Sequence, residues 1–350
     1  MKRQGADSAM FIPQRFIHPN HPAEKLAELF WRAHQHVRAA VRAALTERSP
    51  NEILHVAAQA QADTIYGIDA IAESEFLKFI EAHQYEAPAF LLVGEFESGD
   101  AIPFGKGQPQ FRVLLDPIDG TRLLMYGKAS GWILTGIAPE YGEATRLREI
   151  FFSLQTELPT PKYLYADTAW ASPLGTTEGV RENLMTGEIA PLPFSPDPSE
   201  DLRHGFVSFV KLFPQGKQLL AGLEEEFLNK TLEGLTDAPA LVFDDQHLST
   251  GGQLFALMSG QLRMVVDLRP LLNMRWRREQ KPASLCAHPY DLAAWLIAEK
   301  AGVVLYSMEG QAFDGPTHPT AEVGWMGFAN PRLAHRYLPS LLRILKNYKS

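Results

Sequence analysis

Apolar side chains recur at three- and four-residue steps over residues 22–46, at Leu26, Leu29, Phe30, Ala33, Val37, Ala40, Val41 and Leu45. That period belongs to a helix with one buried face and predicts a long first helix. A second helix is predicted over 70–83, with Ile71, Phe76, Phe79 and Ile80 as its apolar positions. Shorter apolar runs bounded by turn residues follow at 89–94 (AFLLVG) and 111–115 (FRVLL) and read as buried strands. Further strands are predicted at 132–138, 150–154 and 162–166 (KYLYA). Residues 172–200 are rich in Pro, Gly, Thr and Ser, which suits a linker or a long excursion between two halves. Beyond it the pattern predicts strands at 205–210, 241–243, 263–267, 303–306 and 325–329. Helices are predicted at 216–231, 250–258, 293–301 and 331–347. Short strands mixed with helices in both halves predict layered sheets, with helices between or outside them.

The chain has 350 residues, enough for two domains. The predicted division is 20–171, an N-terminal α+β subdomain, and 201–350, a C-terminal α/β subdomain. An apolar fraction of 45% and a charged fraction of 21% exclude a disordered or fibrous protein. The one cysteine, Cys286, excludes an internal disulfide and a Cys-based zinc site. The net charge of -8, from 33 basic and 41 acidic side chains, argues against a nucleic-acid polymer as partner. No apolar run is long enough for a membrane span. Residues 1–16 have no apolar core of a secretory signal, so a cytoplasmic location is expected.

The stretch that changes this picture is 114–121, LLDPIDGT. An apolar strand runs into Asp116, and Asp119 follows across a turn in which Pro117 fixes one backbone angle. Gly120 lets the backbone approach a ligand closely. Two carboxylates this near each other repel unless a cation lies between them, and hard oxygen ligands suit Mg²⁺. A backbone carbonyl between them, that of Ile118, could complete such a cage. Taken alone, D-P-x-D-G is also an ordinary surface turn. Two other stretches bear on the choice. Residues 90–98 (FLLVGEFES) bring a strand to Gly94 and Glu95, and strand ends are where layered α/β proteins place ligands. Residues 289–302 (PYDLAAWLIAEKAG) carry Asp291 at a helix start. Singly, Glu95 is a solvated loop charge and Asp291 an N-cap.

Together, LLDPIDGT, the upstream Gly-Glu and PYDLAAWLIAEKAG resemble the inositol monophosphatase family and its superfamily of Mg²⁺-dependent, lithium-sensitive phosphatases. That superfamily includes fructose-1,6-bisphosphatase and adenosine 3′,5′-bisphosphatase. The resemblance implies a layered αβαβα sandwich of two mixed-sheet subdomains, the first of them metal-binding, with the site in the cleft between them. It implies hydrolysis of a small phosphorylated polyol, sugar or nucleotide by metal-activated water. Glu95, Asp116, Asp119, Asp291 and the Ile118 carbonyl would hold Mg²⁺, and Glu95, Asp69 and Thr121 would be catalytic. Thr121, bonded to Asp69, would orient and help deprotonate the water. Gly120 and Thr121 would cradle the phosphate. Gly251 and Gly252, in STGGQ (249–253), would border the substrate. Asp267 would face its hydroxyls, and Asp291 would also touch it. Asp63 and Asp69 resemble the family's D-x-x-[TS]-x-x-D. A homodimer is implied as well.

The chain departs from the pattern at several places. Tyr66 replaces a small hydroxyl residue, Phe96 the second Glu of G-E-E, and Tyr290 a Trp. Arg122 stands where a second Thr, then Asn-Phe, is usual. These departures motivate a second reading, a catalytically weak member that binds a ligand or partner. An insertion over 268–288 carries Arg269, Arg275, Arg277, Arg278 and Lys281. It could read a second anionic group, although a solvated mobile loop is the preferred expectation. The region 139–200 keeps little of the pattern. Cys286 is expected to be a spectator, His288 a loop residue, and Trp132 and Trp295 core aromatics. Gly105 and Gly107 lack the strand-turn-helix context of a dinucleotide loop.

Overall fold

A computed structural model describes residues 12–59, 64–96, 101–232 and 240–349. The first half opens with α1 (Glu24–Glu47), α2 (Pro50–Leu54), a small hairpin of β1 (Val56–Gln59) and β2 (Thr64–Tyr66), and α3 (Gly67–His83). It continues with β3 (Phe90–Gly94), β4 (Ile102–Phe104), β5 (Phe111–Asp119), the short α4 (Thr121–Met125), β6 (Gly131–Pro139), β7 (Phe152–Leu158) and β8 (Tyr165–Ala171). Strands β9 (Glu178–Asn183) and β10 (Ile189–Pro191) follow. Eight of these strands form one sheet in the order β10-β9-β8-β7-β6-β5-β3-β4. Only β3 and β5 run parallel in it.

The second half contains β11 (Phe206–Phe209), α5 (Lys217–Thr231), β12 (Phe243–Asp244), α6 (Thr250–Met258), β13 (Met264–Asp267) and α7 (Arg269–Arg278). Then come α8 (Trp295–Ala301), β14 (Val304–Ser307), β15 (Trp325–Phe328) and α9 (Pro331–Lys349). Its mixed sheet has the order β12-β11-β13-β15-β14. Helices α1 and α3 cover the outer face of the first sheet. Helices α6 and α8 lie between the sheets, and α5 and α9 cover the second. The layers are therefore αβαβα, as the resemblance implied.

The periodic residues of α1 explain its length. Leu26, Leu29, Phe30, Ala33, Val37 and Val41 are all buried against the first sheet and α3. Phe30 meets Phe76 of α3 and Phe90 of β3 at ring separations of 5.8 and 5.6 Å. His34 on the same face places its two ring nitrogens 3.0 Å from Thr156 Oγ1 and 2.8 Å from Thr135 Oγ1. A second core, between and beyond the sheets, is built largely from the second half.

Three expectations differ from what is observed. Residues 172–200 do not merely link the halves, since β9 and β10 within them extend the edge of the first sheet. Both faces of β9 are partly or fully exposed, so it carries no apolar alternation to betray it. The strand predicted at 162–166 is Tyr165–Ala171 instead. Tyr163, Leu164 and Tyr165 are exposed, whereas Asp167 is buried through its pairing with Arg181. The basic insertion holds helix α7, with Leu272 and Asn273 buried on one face and Arg275, Arg277 and Arg278 outside. Among the described residues no helix is long and apolar enough to cross a membrane.

Candidate active site

In a regular strand, residues three apart point to opposite faces. Asp116 and Asp119 of β5 do not, because the strand bulges between them. Asp116 pairs with Leu134 and Asp119 with Trp132, so three residues of β5 span two of β6. The extra residue turns both carboxylates to one side, and Pro117 sits where a donor can be spared. Parallel pairing sets Gly94 beside Leu115, which brings Glu95, the residue just after the end of β3, next to Asp116. Asp291 arrives from the second half, in a 3₁₀ turn (Tyr290–Leu292) just before α8. Its Oδ2 accepts the His288 N–H at 2.5 Å.

Asp116, Asp119 and Asp291 each offer a carboxylate oxygen within 4.8 Å of the others. Glu95 lines the same cavity but stands outside this tightest group. Burial, then Glu95, Asp119 and Asp291, hold the Asp116 carboxyl well above the usual carboxylate range. Its Oδ1 accepts the Ile118 N–H at 2.9 Å, while Oδ2 is buried with no hydrogen-bond partner among the described residues. Burial and then Asp291 push Asp119 up to about 7. Three hydrogen bonds oppose that rise. Ser249 Oγ donates to Oδ2 at 2.8 Å, Thr250 N–H to Oδ1 at 3.2 Å, and Gly251 N–H to Oδ2 at 2.5 Å.

A second group flanks the carboxylates. Asp69, in the first turn of α3, accepts the Tyr66 N–H at 2.8 Å with Oδ2, which fixes its orientation. Its Oδ1 lies 2.7 Å from Thr121 Oγ1, and the Ile118 carbonyl lies 2.9 Å from the same hydroxyl. One hydroxyl hydrogen serves both, and the charge-assisted bond to Asp69 is the stronger. The Ile118 carbonyl thus keeps a lone pair for another partner. Gly120 makes the turn at φ 87°, where a side chain would be strained, and a Cβ there would also meet Ser249 Cβ at 2.9 Å.

One cavity between the halves is lined by Asp69, Glu95, Asp116, Ile118, Asp119 and Asp291, and also by Gly120 and Thr121. Every metal-ligand candidate is therefore brought together. Three substrate-side candidates are not. The Gly251 N–H is given to Asp119 and the Gly252 N–H to Ser249 Oγ at 2.8 Å, and neither glycine lines the cavity. Gly251 is small for a packing reason, since a Cβ there would lie 2.6 Å from Leu134 Cδ2 and 2.9 Å from Asp119 Oδ2. Asp267 is fully buried off the cavity, in a bidentate pair with Arg269 whose Nη2–Oδ2 distance is 2.6 Å. Asp63 lies outside the described residues.

Phe96 is buried in the first core and does not reach the cavity. Burial pushes the Cys286 thiol up, which suits an inert side chain. Arg269, expected in a solvated loop, lines the cavity and is buried. Burial works against its charge, and the Asp267 carboxylate outweighs it. Leu212 and Phe213, beyond the end of β11, were not singled out in the sequence, and Arg122 only as a departure. All three line the cavity. The rule that ligands sit at strand ends was the available signal for Phe213.

No family model and no curated protein sequence matches the chain. Solved structures do match in fold. Leishmania major fructose-1,6-bisphosphatase, in holo form, aligns with TM-score 0.67 at 13% identity, covering 94% of this chain and 96% of that one. A structure described as an inositol monophosphatase–fructose 1,6-bisphosphatase aligns with TM-score 0.60 at 13% identity, covering 91% and 99%. A hypothetical Pyrococcus horikoshii protein with similarities to inositol-1 monophosphatase gives TM-score 0.57 at 14% identity, covering 91% and 97%. The layered sandwich is thus shared over nearly the whole chain, with little sequence in common.

Proposed function

We propose that the protein is a Mg²⁺-dependent phosphoric monoester hydrolase acting on a small phosphorylated polyol, sugar or nucleotide. The observation that carries this reading is the convergence of Asp116, Asp119 and Asp291 within 4.8 Å, with Glu95 beside them. The donors are all oxygens, the set that suits Mg²⁺. The buried Asp116 Oδ2 without a partner is what a bound cation satisfies. Asp116, Asp119, Asp291, Glu95 and the Ile118 carbonyl would hold it. When bound, Mg²⁺ lowers the pKa of water and neutralises charge on phosphate oxygens.

The chain's own residues do the rest. Thr121 commits its hydrogen to Asp69 Oδ1, so the hydroxyl oxygen can accept a proton from an attacking water. Asp69, held by the Tyr66 N–H, would take the Thr121 hydrogen in turn. Gly120 and Thr121 border the space in which the phosphoryl group would lie. The folds named above support the reading, since two of those structures are described as phosphatases of sugar or inositol phosphates.

The test is phosphate release with Mg²⁺ across inositol, sugar and nucleotide phosphates. Wild type is expected to turn over at least one of them, and Asp116→Asn and Asp119→Asn each to lose that activity with the fold kept. Undiminished turnover in both variants overturns the reading. Release from no member of the panel favours a ligand- or partner-binding role instead.

A further inference from the structure

Arg269 stands where β13 ends and α7 begins, and it lines the same cavity as the carboxylates. Only 6% of it is exposed. A guanidinium carries five N–H donors in one plane. On Arg269, Nε donates to Asp267 Oδ1 at 2.9 Å and Nη2 to Asp267 Oδ2 at 2.6 Å. Nη1 donates to the Leu285 carbonyl at 3.1 Å. Among the described residues these bonds take three of the five donors. One N–H on each Nη nitrogen is left over, on a side chain that forms part of the cavity wall.

Both mounts of this guanidinium are fixed. Asp267 is fully buried at the end of β13, pairs in register with Trp325, and accepts the Arg269 backbone N–H at 3.1 Å. Leu285 is held through its neighbour. Ser284 N–H donates to Asn273 Oδ1 at 2.7 Å, and Asn273 Nδ2 donates to the Ser284 carbonyl at 2.8 Å. Asn273 lies one turn along α7 from Arg269 and is buried. The plane of the guanidinium is therefore set from two sides, and so is the direction of its leftover N–H groups.

The charge of Arg269 is already matched by Asp267. An anionic group brought to the Nη nitrogens would face that carboxylate across the same guanidinium, and the repulsion would offset much of the gain. A hydroxyl oxygen brings no charge and needs only a donor. A ligand with no oxygen here leaves buried N–H groups unpaired, which carries a penalty.

We propose that Arg269 is a specificity-determining residue, donating hydrogen bonds to neutral hydroxyl oxygens on the leaving group of a substrate whose phosphoryl group is bound at the carboxylate cluster. This rests on the phosphatase reading above and narrows its substrate class. Asp267 is then a positioning residue that acts through Arg269. The preference expected for a hydroxylated leaving group over a bare one is about 10- to 100-fold in kcat/KM.

Three pairs of esters test it with saturating Mg²⁺, the members of each differing in their hydroxyls. They are myo-inositol 1-phosphate against cyclohexyl phosphate, glucitol 6-phosphate against hexyl phosphate, and adenosine 5′-monophosphate against its 2′,3′-dideoxy form. Wild type is expected to prefer the hydroxylated member of at least one pair. Arg269→Lys keeps a cation beside Asp267 but loses the planar fork. It is expected to lower kcat/KM for that member about 10- to 100-fold more than for its partner. Asp267→Asn combined with Arg269→Gln removes both charges at once, so neither is left buried alone, and it is expected to lose the same preference. A preference that survives in both variants overturns the inference alone. So do equal losses for both members of each pair with a lowered unfolding midpoint, which make the ion pair only a brace for α7. Hydrolysis by wild type without preference in any pair has the same meaning. Release of phosphate from none of the six esters overturns the phosphatase reading together with it.

Discussion

Asp116→Asn should stabilise the protein in chelator, yet leave it less stable than wild type once Mg²⁺ is supplied. Asp116 has one oxygen tied to the Ile118 N–H and the other buried without a partner. Asn keeps the first bond and removes a negative charge from beside Glu95, Asp119 and Asp291. The scale of the penalty for a charged carboxylate here is legible at Asp119, whose carboxyl rises from 3.8 to about 7, first through burial and then through Asp291. At about 1.4 kcal/mol per unit, keeping that group charged above pH 7 costs about 4 kcal/mol relative to the unfolded chain. Between 3.8 and about 7 the folded chain keeps a proton that the unfolded chain has lost. In chelator this contribution to stability therefore falls as pH rises through that window and is flat above it.

The Asp116 carboxyl is itself held well above its usual range by burial, then Glu95, Asp119 and Asp291, and so adds a fall of the same sign. Asn removes that contribution, which should make the overall fall shallower and raise the unfolding midpoint at pH 8. Mg²⁺ should reverse the ranking. Wild type gains about 2.7 kcal/mol at a free concentration of 100 Kd, a shift of about 4 °C for a chain of this size. The variant, short of one ligand, gains little. Thermal unfolding is measured at pH 5, 6, 7 and 8 with EDTA or Mg²⁺. The difference between the two ion conditions is read at each pH, because titrations remote from the cluster cancel in it. That difference should grow up to about pH 7 in wild type. A variant destabilised in EDTA at every pH, as by the loss of a buried polar contact worth about 1–3 kcal/mol, with its Mg²⁺ gain intact, would refute the reasoning.

Burial and then Arg38 push His34 down to about 3, so it stays neutral in the fold while the unfolded chain protonates below 6.5. Stability should fall as pH drops through that window, by about 2 kcal/mol at pH 5, and His34→Gln should flatten the slope in a denaturant series over pH 5–7. Thr121→Ala is expected to lower kcat about 10²- to 10⁴-fold while keeping the Mg²⁺-dependent thermal shift; loss of that shift would make Thr121 structural. Charge reversal at Arg275, Arg277 and Arg278 together should leave KM unchanged, because these exposed side chains reach outward, two of them to Glu279 and Glu322. A tenfold change in KM would bring α7 into substrate binding.

What could be read in the sequence was local in cause. The buried face of α1 follows from one helical period, and the joint placement of Asp116 and Asp119 from a few residues around Pro117. What could not be read was either long-range or polar on both sides. The ligands that fix Asp119 come from Ser249, Thr250 and Gly251, some 130 residues away. STGGQ suggested glycines bordering a substrate, and no local feature showed that their N–H groups serve a carboxylate instead. Asp267 and Arg269 lie two residues apart at a strand end and satisfy each other, so neither the acidic residue expected to face the substrate nor the arginine expected in solvent behaves as its type suggests. Strands β9 and β10 carry no buried alternation, so their composition reads as a linker.

The balance at Asp119 shows how the cleft makes the site. The first turn of α6, from the second half, supplies three hydrogen bonds that favour the charged carboxylate. Burial and Asp291 disfavour it by more, since its pKa is still about 7. Asp119 is thus positioned by the second half without being fully stabilised as an anion by it, and the cation of the proposed function would supply the remaining stabilisation. The missing side chain at Gly251 is what lets α6 come close enough to do this. Since Asp291 also comes from the second half, the cluster on β5 is complete only when the two sheets are docked. On the proposed function, cation binding and the packing of α6 against the first sheet would be linked, each stabilising the other.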